Sequence, residues 1–186
     1  QSIHYKSLGF AKLGIKNNEI VVGVSPAFGN KIFQTLAGHK LSEVLYNLKT
    51  GIIRGGYEFR LVRFKHTADT SFLGLSAARL SGSGIGIGLQ AKGTAVIHQK
   101  DRLPHNNLEL FSNAPLTKLL HYELMGFNST QYAKKTIPEP IIVQTKGEAL
   151  GARFHARVAL TYAIETSLIV KDESPEEILP IFKDYQ

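Results

Sequence analysis

The stretch Gly84-Ile-Gly-Ile-Gly-Leu-Gln90 constrains the fold of this chain more than any other. Glycine alternates with aliphatic residues at period two, the side-chain period of a β-strand. One face of that strand carries Ile85, Ile87 and Leu89, and the other carries almost no side chains. Interior glycines weaken a strand unless something approaches the bare backbone closely, so either a second element or a flat ligand has to lie there. Thr94-Ala-Val-Ile-His-Gln99 is another β-prone run, and only Ala91-Lys92-Gly93 separates the two. The spacing predicts a tight antiparallel hairpin.

Upstream, Glu19-Ile-Val-Val-Gly-Val24 has the look of a buried strand and ends in the turn residues Ser25-Pro-Ala-Phe-Gly29. Leu41, Val44, Leu45, Leu48 and Ile52 recur on one helical face, closed by Gly55-Gly56. Residues 57–64 alternate as a strand, with Phe59, Leu61 and Arg63 on one face. Asp69, a preferred N-cap, precedes a helical run over 70–80. Strand, helix, strand, helix argues for an α/β layered domain with parallel strands. Residues 1–18 read as a polar N-terminal arm or edge segment, and 19–186 as a single domain. Downstream, 100–115 reads as an extended loop rich in amides. Leu116, Leu119, Leu120 and Leu124 give a helical face broken at Gly126, with a further short helix over 129–135. The run 152–166 is ambiguous between strand and helix, and Ser174-Pro-Glu-Glu reads as the capped start of a helix.

The chain has no cysteine, which excludes disulfides, thiolate metal sites and a Cys nucleophile. A net charge of +7 invites an anionic partner, but the basic residues are scattered and no nucleic-acid recognition module is present. No apolar run approaches the ~20 residues of a membrane span. The seven histidines show no ligand spacing, so no metal site is expected. The 80–88 glycine run lacks the Gly-Lys-Ser/Thr ending of a phosphate loop. There is no Ser-His-Asp order and no paired-carboxylate motif. The polar stretch His105-Asn-Asn107 with Ser112-Asn113 either satisfies its own loop or meets a ligand fringed with neutral amides. Lys92 at the hairpin tip is either a solvated charge or a ligand contact, and Asp69 a cap, a site residue or both.

The block from Leu80 to Gln99 resembles the signature of the medium subunit of adenosylcobalamin-dependent diol and glycerol dehydratases. Leu103-Pro, Asn107-Leu-Glu-Leu-Phe-Ser-Asn-Ala-Pro-Leu116, Pro26-Ala-Phe-Gly29, Val62-Arg63, Asp69 and Tyr132-Ala-Lys-Lys135 extend the resemblance over roughly residues 19–170. It implies a three-layer α/β/α fold, anticodon-binding-domain-like, with a mixed, mostly parallel sheet containing one antiparallel strand. It also implies a non-catalytic, cofactor-binding role. A large TIM-barrel subunit performs the radical elimination of water from a 1,2-diol or glycerol, and the cobalamin lies between the two subunits.

Carried over by position, Asp69, Lys92, Asn107 and the backbone at His105 bind corrin amides. Ser112 and Asn113 meet the nucleotide tail, and Glu165 its ribose. His105 stands where relatives carry an apolar residue, and Val158 where they carry Ser. The resemblance further implies a small subunit, a dimer of heterotrimers, service by a reactivating factor and a cytoplasmic place, with microcompartment packaging left open. The rival reading is the small subunit of that reactivating factor, which is shorter and lacks the 80–99 block. On the main reading, the macrocycle is expected to rest against the bare glycine strand and its neighbouring loop.

Overall fold

In the computed structural model, residues 4–144 and 150–182 are described. The strands are β1 (His4–Phe10), β2 (Glu19–Val24), β3 (Glu58–Arg63), β4 (Ile85–Leu89), β5 (Ala95–Gln99), β6 (Glu109–Phe111) and β7 (Glu176–Ile181). The helices are α1 (Leu41–Arg54), α2 (Thr70–Leu80), α3 (Leu119–Ala133) and α4 (Leu150–Ser167). The strands form one sheet in the order β1-β7-β3-β2-β4-β5-β6.

Ile20, Val22 and Val24 of β2 point to one side, with Leu61, Ile87, Ile97 and the apolar stripe of α1; Tyr122 and Met125 of α3 complete this larger core. Val21, Val62 and Phe64 point to the other side, against Leu73 and Ala77 of α2. Both faces of the central strands are therefore buried, which is why β2 reads as an unbroken apolar run.

The expected hairpin is present: β4 pairs antiparallel with β5 in register Ile87↔Ile97. The bare glycine face, however, is not open to a macrocycle. A Cβ at Gly88 would stand 2.4 Å from the Gly74 nitrogen, and one at Gly86 2.3 Å from the Ala78 nitrogen. The helix α2 lies directly on that face, its own small residues Gly74, Ala77 and Ala78 making the close approach possible. Of the two occupants the periodicity allows, it is an element of the chain itself.

The sheet is also less parallel than expected. Among the described strands only β2–β3 and β2–β4 pair parallel. The pairs β1–β7, β3–β7, β4–β5 and β5–β6 are all antiparallel. The extra antiparallel strands come from segments whose sequence hides them. Within the N-terminal arm, β1 is an edge strand, exposed along most of its length. The Ser174-Pro-Glu-Glu segment leads into strand β7 rather than a helix. It alternates, with Ile178 and Pro180 buried and Leu179 and Ile181 exposed, and Pro180 would break a helix. Within the amide-rich loop, β6 is only three residues long.

Gly126 does not break α3, because it is an inter-helix contact: a Cβ there would meet the Leu48 carbonyl at 2.2 Å. The buried face of α3 is Tyr122, Met125, Gly126 and Ser129, while Leu120 is exposed. The ambiguous run 152–166 is helical, within α4.

Candidate functional site

The parallel strands β2, β3 and β4 end on one edge, the edge at which open α/β sheets bind ligands. Each delivers a polar group there. After β4, the turn is closed by Gly93 N donating to Gln90 O (2.9 Å) and Gln90 N donating to Thr94 O (2.9 Å). Gly93 takes φ +106°, a conformation that favours glycine. The tip is fixed from beneath: Tyr122 Oη donates to Gly93 O at 2.8 Å, and Leu36 N to Lys92 O at 2.9 Å. Lys92 is half-buried on this anchored turn, and burial pulls its ammonium below the usual lysine range. Among the described residues no carboxylate lies within ion-pair distance of it.

After β3, Asp69 caps α2, its Oδ1 accepting from Phe72 N at 3.1 Å. The side chain is exposed at the mouth of a cleft of about 500 Å³, so the cap leaves its other oxygen available. Gln90 lines the same cleft. Its Nε2 donates to Ala68 O at 2.6 Å, which leaves Oε1 as a buried acceptor without a partner. The opposite wall is α4, through residues that include Val158, Thr161 and Glu165.

Glu165 is the buried residue of that wall, 4 % exposed. Ser25 Oγ donates to its Oε1, Ala27 N donates to its Oε2 at 2.8 Å, and Ala91 N donates to Ser25 Oγ at 3.1 Å. Burial raises the carboxyl above its ordinary range, and the Ser25 and backbone hydrogen bonds oppose the rise. Both oxygens are thus engaged within the chain, and Glu165 joins α4 to the ends of β2 and β4.

A smaller hollow of about 150 Å³ adjoins the cleft and is lined by Lys92, Thr94, Ser112, Asn113 and Val158 among others. Ser112 and Asn113 are brought here by the pairing of β6 with β5. Lys92 and Val158 border both spaces. His105 and Asn107 lie outside both. The His105 ring meets Phe72 edge-on at 5.9 Å, placing it beside the first turn of α2. The loop carrying it is held by buried His98, whose Nε2 donates to Pro104 O at 2.9 Å while Nδ1 accepts from Gln99 N at 2.9 Å.

The structure therefore gathers Asp69, Lys92 and Glu165 in one cleft and Ser112 and Asn113 in its annex; His105 lies beside the first turn of α2, and neither it nor Asn107 lines either space. Gln90, Thr94 and Ser25 were not foreseen. Ser25 and Gln90 stand immediately after strands β2 and β4, and Thr94 immediately before β5 across the turn, and that position is the signal that points to them.

Two comparisons with known proteins bear on this arrangement. A solved glycerol dehydratase reactivase aligns with a TM-score of 0.53 at 19 % identity, covering 66 % of this chain and 96 % of that one. A diol dehydratase-reactivating factor, solved with ADP and Mg2+, aligns at 0.47 and 16 % identity, covering 68 % and 96 %. The first likeness shows a shared fold. The family model for the dehydratase medium subunit matches residues 25–139, the segment that contains Asp69, Lys92, His105, Asn107, Ser112 and Asn113. On the strength of that match, which spans more than half the sequence, the chain belongs to the dehydratase medium subunit family, that of the diol and glycerol dehydratases.

Proposed function

We infer that this chain is the non-catalytic subunit that holds adenosylcobalamin against a large catalytic subunit, in a complex that eliminates water from a 1,2-diol or glycerol. The observation that carries the reading is the cleft at the carboxyl edge, with its annex. Asp69 offers an acceptor and Lys92 donors, with Gln90 Oε1 a buried, unpartnered acceptor beside them. Primary amides, which offer both donors and an acceptor, suit this mixed set. In the annex, Lys92, Thr94, Ser112 and Asn113 offer an ammonium, hydroxyls and an amide, groups suited to a phosphate-bearing tail.

The bound cofactor would supply the radical chemistry. This chain's residues would hold it. Asp69, Gln90 and Lys92 would orient its amide fringe, His105 and Asn107 would meet that fringe along the flank, and Ser112 and Asn113 would hold the tail. Glu165, with its oxygens engaged, would contribute through the wall it anchors rather than through the ribose. The large and small dehydratase subunits are the partners this reading requires.

The fold is shared with a dehydratase reactivase, so fold alone leaves the reactivating-factor reading standing. The family match over 25–139 favours the dehydratase. The test is an absorbance titration of the reconstituted complex with cobalamin. Lys92→Ala and Asn107→Ala are each expected to weaken binding about tenfold, the value of one charge-assisted or well-placed hydrogen bond. Unchanged affinity in both variants would remove the site assignment.

A further inference from the structure

A helix on a globular domain is ordinarily held by an apolar stripe pressed into the core, and that packing supplies most of its stability. The helix α4 departs from this. Among its described side chains only Glu165 is buried, and Leu160 and Tyr162 are 62 % and 70 % exposed. What fastens the helix is polar: the Glu165 carboxylate accepts from Ser25 Oγ and from Ala27 N, and Ser25 Oγ in turn accepts from Ala91 N. A carboxylate is costly to bury unless it is fully hydrogen-bonded, so this contact is all-or-none rather than graded. It connects the ends of β2 and β4, which are buried, to a helix whose other described side chains are half-buried or exposed. The same helix forms one wall of the 500 Å³ cleft whose other wall carries Asp69, Gln90 and Lys92. A space of that size takes a drug-sized group. For part of a larger ligand to enter between two walls, one wall has to give, and α4 is the one with only Glu165 buried among its described side chains.

We propose that Ser25 and Glu165 are a positioning pair that latches α4 as the movable wall of the cleft and thereby sets how fast a ligand enters and leaves. The identity of that ligand as a cobalamin rests on the function inferred above; the latch itself does not.

Two measurements separate these. The first is stopped-flow absorbance of cobalamin binding to the dehydratase complex containing Ser25→Ala, Glu165→Gln or both. Losing a ligand contact raises only the dissociation rate, the usual route by which affinity changes. Loosening a wall raises association and dissociation together. Each single variant is expected to raise both rates about fivefold, a factor set by one net hydrogen bond, and the double variant no further, because the two residues act as one unit. The Lys92→Ala complex, as comparison, is expected to show faster dissociation alone.

The second measurement is amide hydrogen exchange of the same complexes without ligand. Exchange should quicken across 154–167 and stay unchanged in β2, β4 and α1. A rise in dissociation alone, additive single variants, unchanged exchange in α4, or failure of the variants to assemble would each overturn the latch. Failure of the unaltered complex to bind cobalamin would overturn the inferred function, while the exchange experiment would still decide the latch.

Discussion

At Gly88 a single methyl group is expected to disturb the molecule, because the atoms an added Cβ meets are backbone: the Gly74 nitrogen at 2.4 Å and the Thr70 carbonyl at 2.6 Å. Neither can swing aside as a side-chain tip would. Gly88→Ala should therefore cost about 3 kcal/mol, the upper end for overpacking, and lower the urea midpoint without changing its slope. Charge gives a second expectation at this scale. Arg60 donates to Glu19 at 2.9 Å and to Glu177 at 2.8 Å, and Glu19 is only 3 % exposed. Removing the guanidinium leaves a buried carboxylate whose remaining partner is Gly82 N at 2.8 Å. Arg60→Ala should cost about 3 kcal/mol in the same urea measurement, much of it the unpaired charge rather than the lost bond. The Arg60 network was not legible in the sequence. It joins residues far apart along the chain, and spacing reports only on neighbours.

Among the elements, α1, α2 and the β4–β5 hairpin stand where their periodicity places them. Each carries a local signal: an apolar stripe, an Asp cap, a glycine alternation with a three-residue turn. The elements that sequence reading missed are those whose stability is borrowed. The three-residue strand β6 exists because β5 pairs with it, and the exposed strand β1 because β7 does. Occupancy of the glycine face was half legible. Gly74, Ala77 and Ala78 form a small-residue patch in α2 that matches Gly86 and Gly88 of β4. Reading the two patterns together points to helix-on-strand contact rather than to a ligand.

The joint between β6, α3 and the segment after it has a pH signature. Glu109 accepts from Asn128 Nδ2 at 3.2 Å and from Ile141 N at 3.5 Å, and burial raises its carboxyl above the ordinary range. A raised folded value means the native state binds the proton more tightly than the unfolded chain does. This group's contribution is therefore most favourable in acid and is lost as pH rises through the ordinary carboxylate range to the raised value. Relative to Glu109→Gln, the unaltered protein should lose urea resistance as pH rises from the ordinary carboxylate range toward neutrality. A constant difference between the two across that range would contradict the assignment.

For the molecule as a whole, the resemblance named candidate residues but not where they meet. Asp69, Lys92, Ser112 and Asn113 were named by resemblance, and the structure sets them around a cleft and its annex at the carboxyl edge. Their expected seat against the glycine strand was wrong because the sequence reading had no partner for that face, whereas α2 supplies one. The walls of the cleft also come from α4, which lies outside the segment the family model matches.

On the function proposed here, this edge and not the glycine face receives the cofactor. Amide hydrogen exchange of the dehydratase complex with and without cobalamin distinguishes the two. Added protection is expected at residues 67–69, 90–94 and 111–113 and along α4 from 154 to 167, with β4 beneath α2 unchanged. Protection appearing instead on the α2 side of β4, or nowhere in this chain, would contradict it.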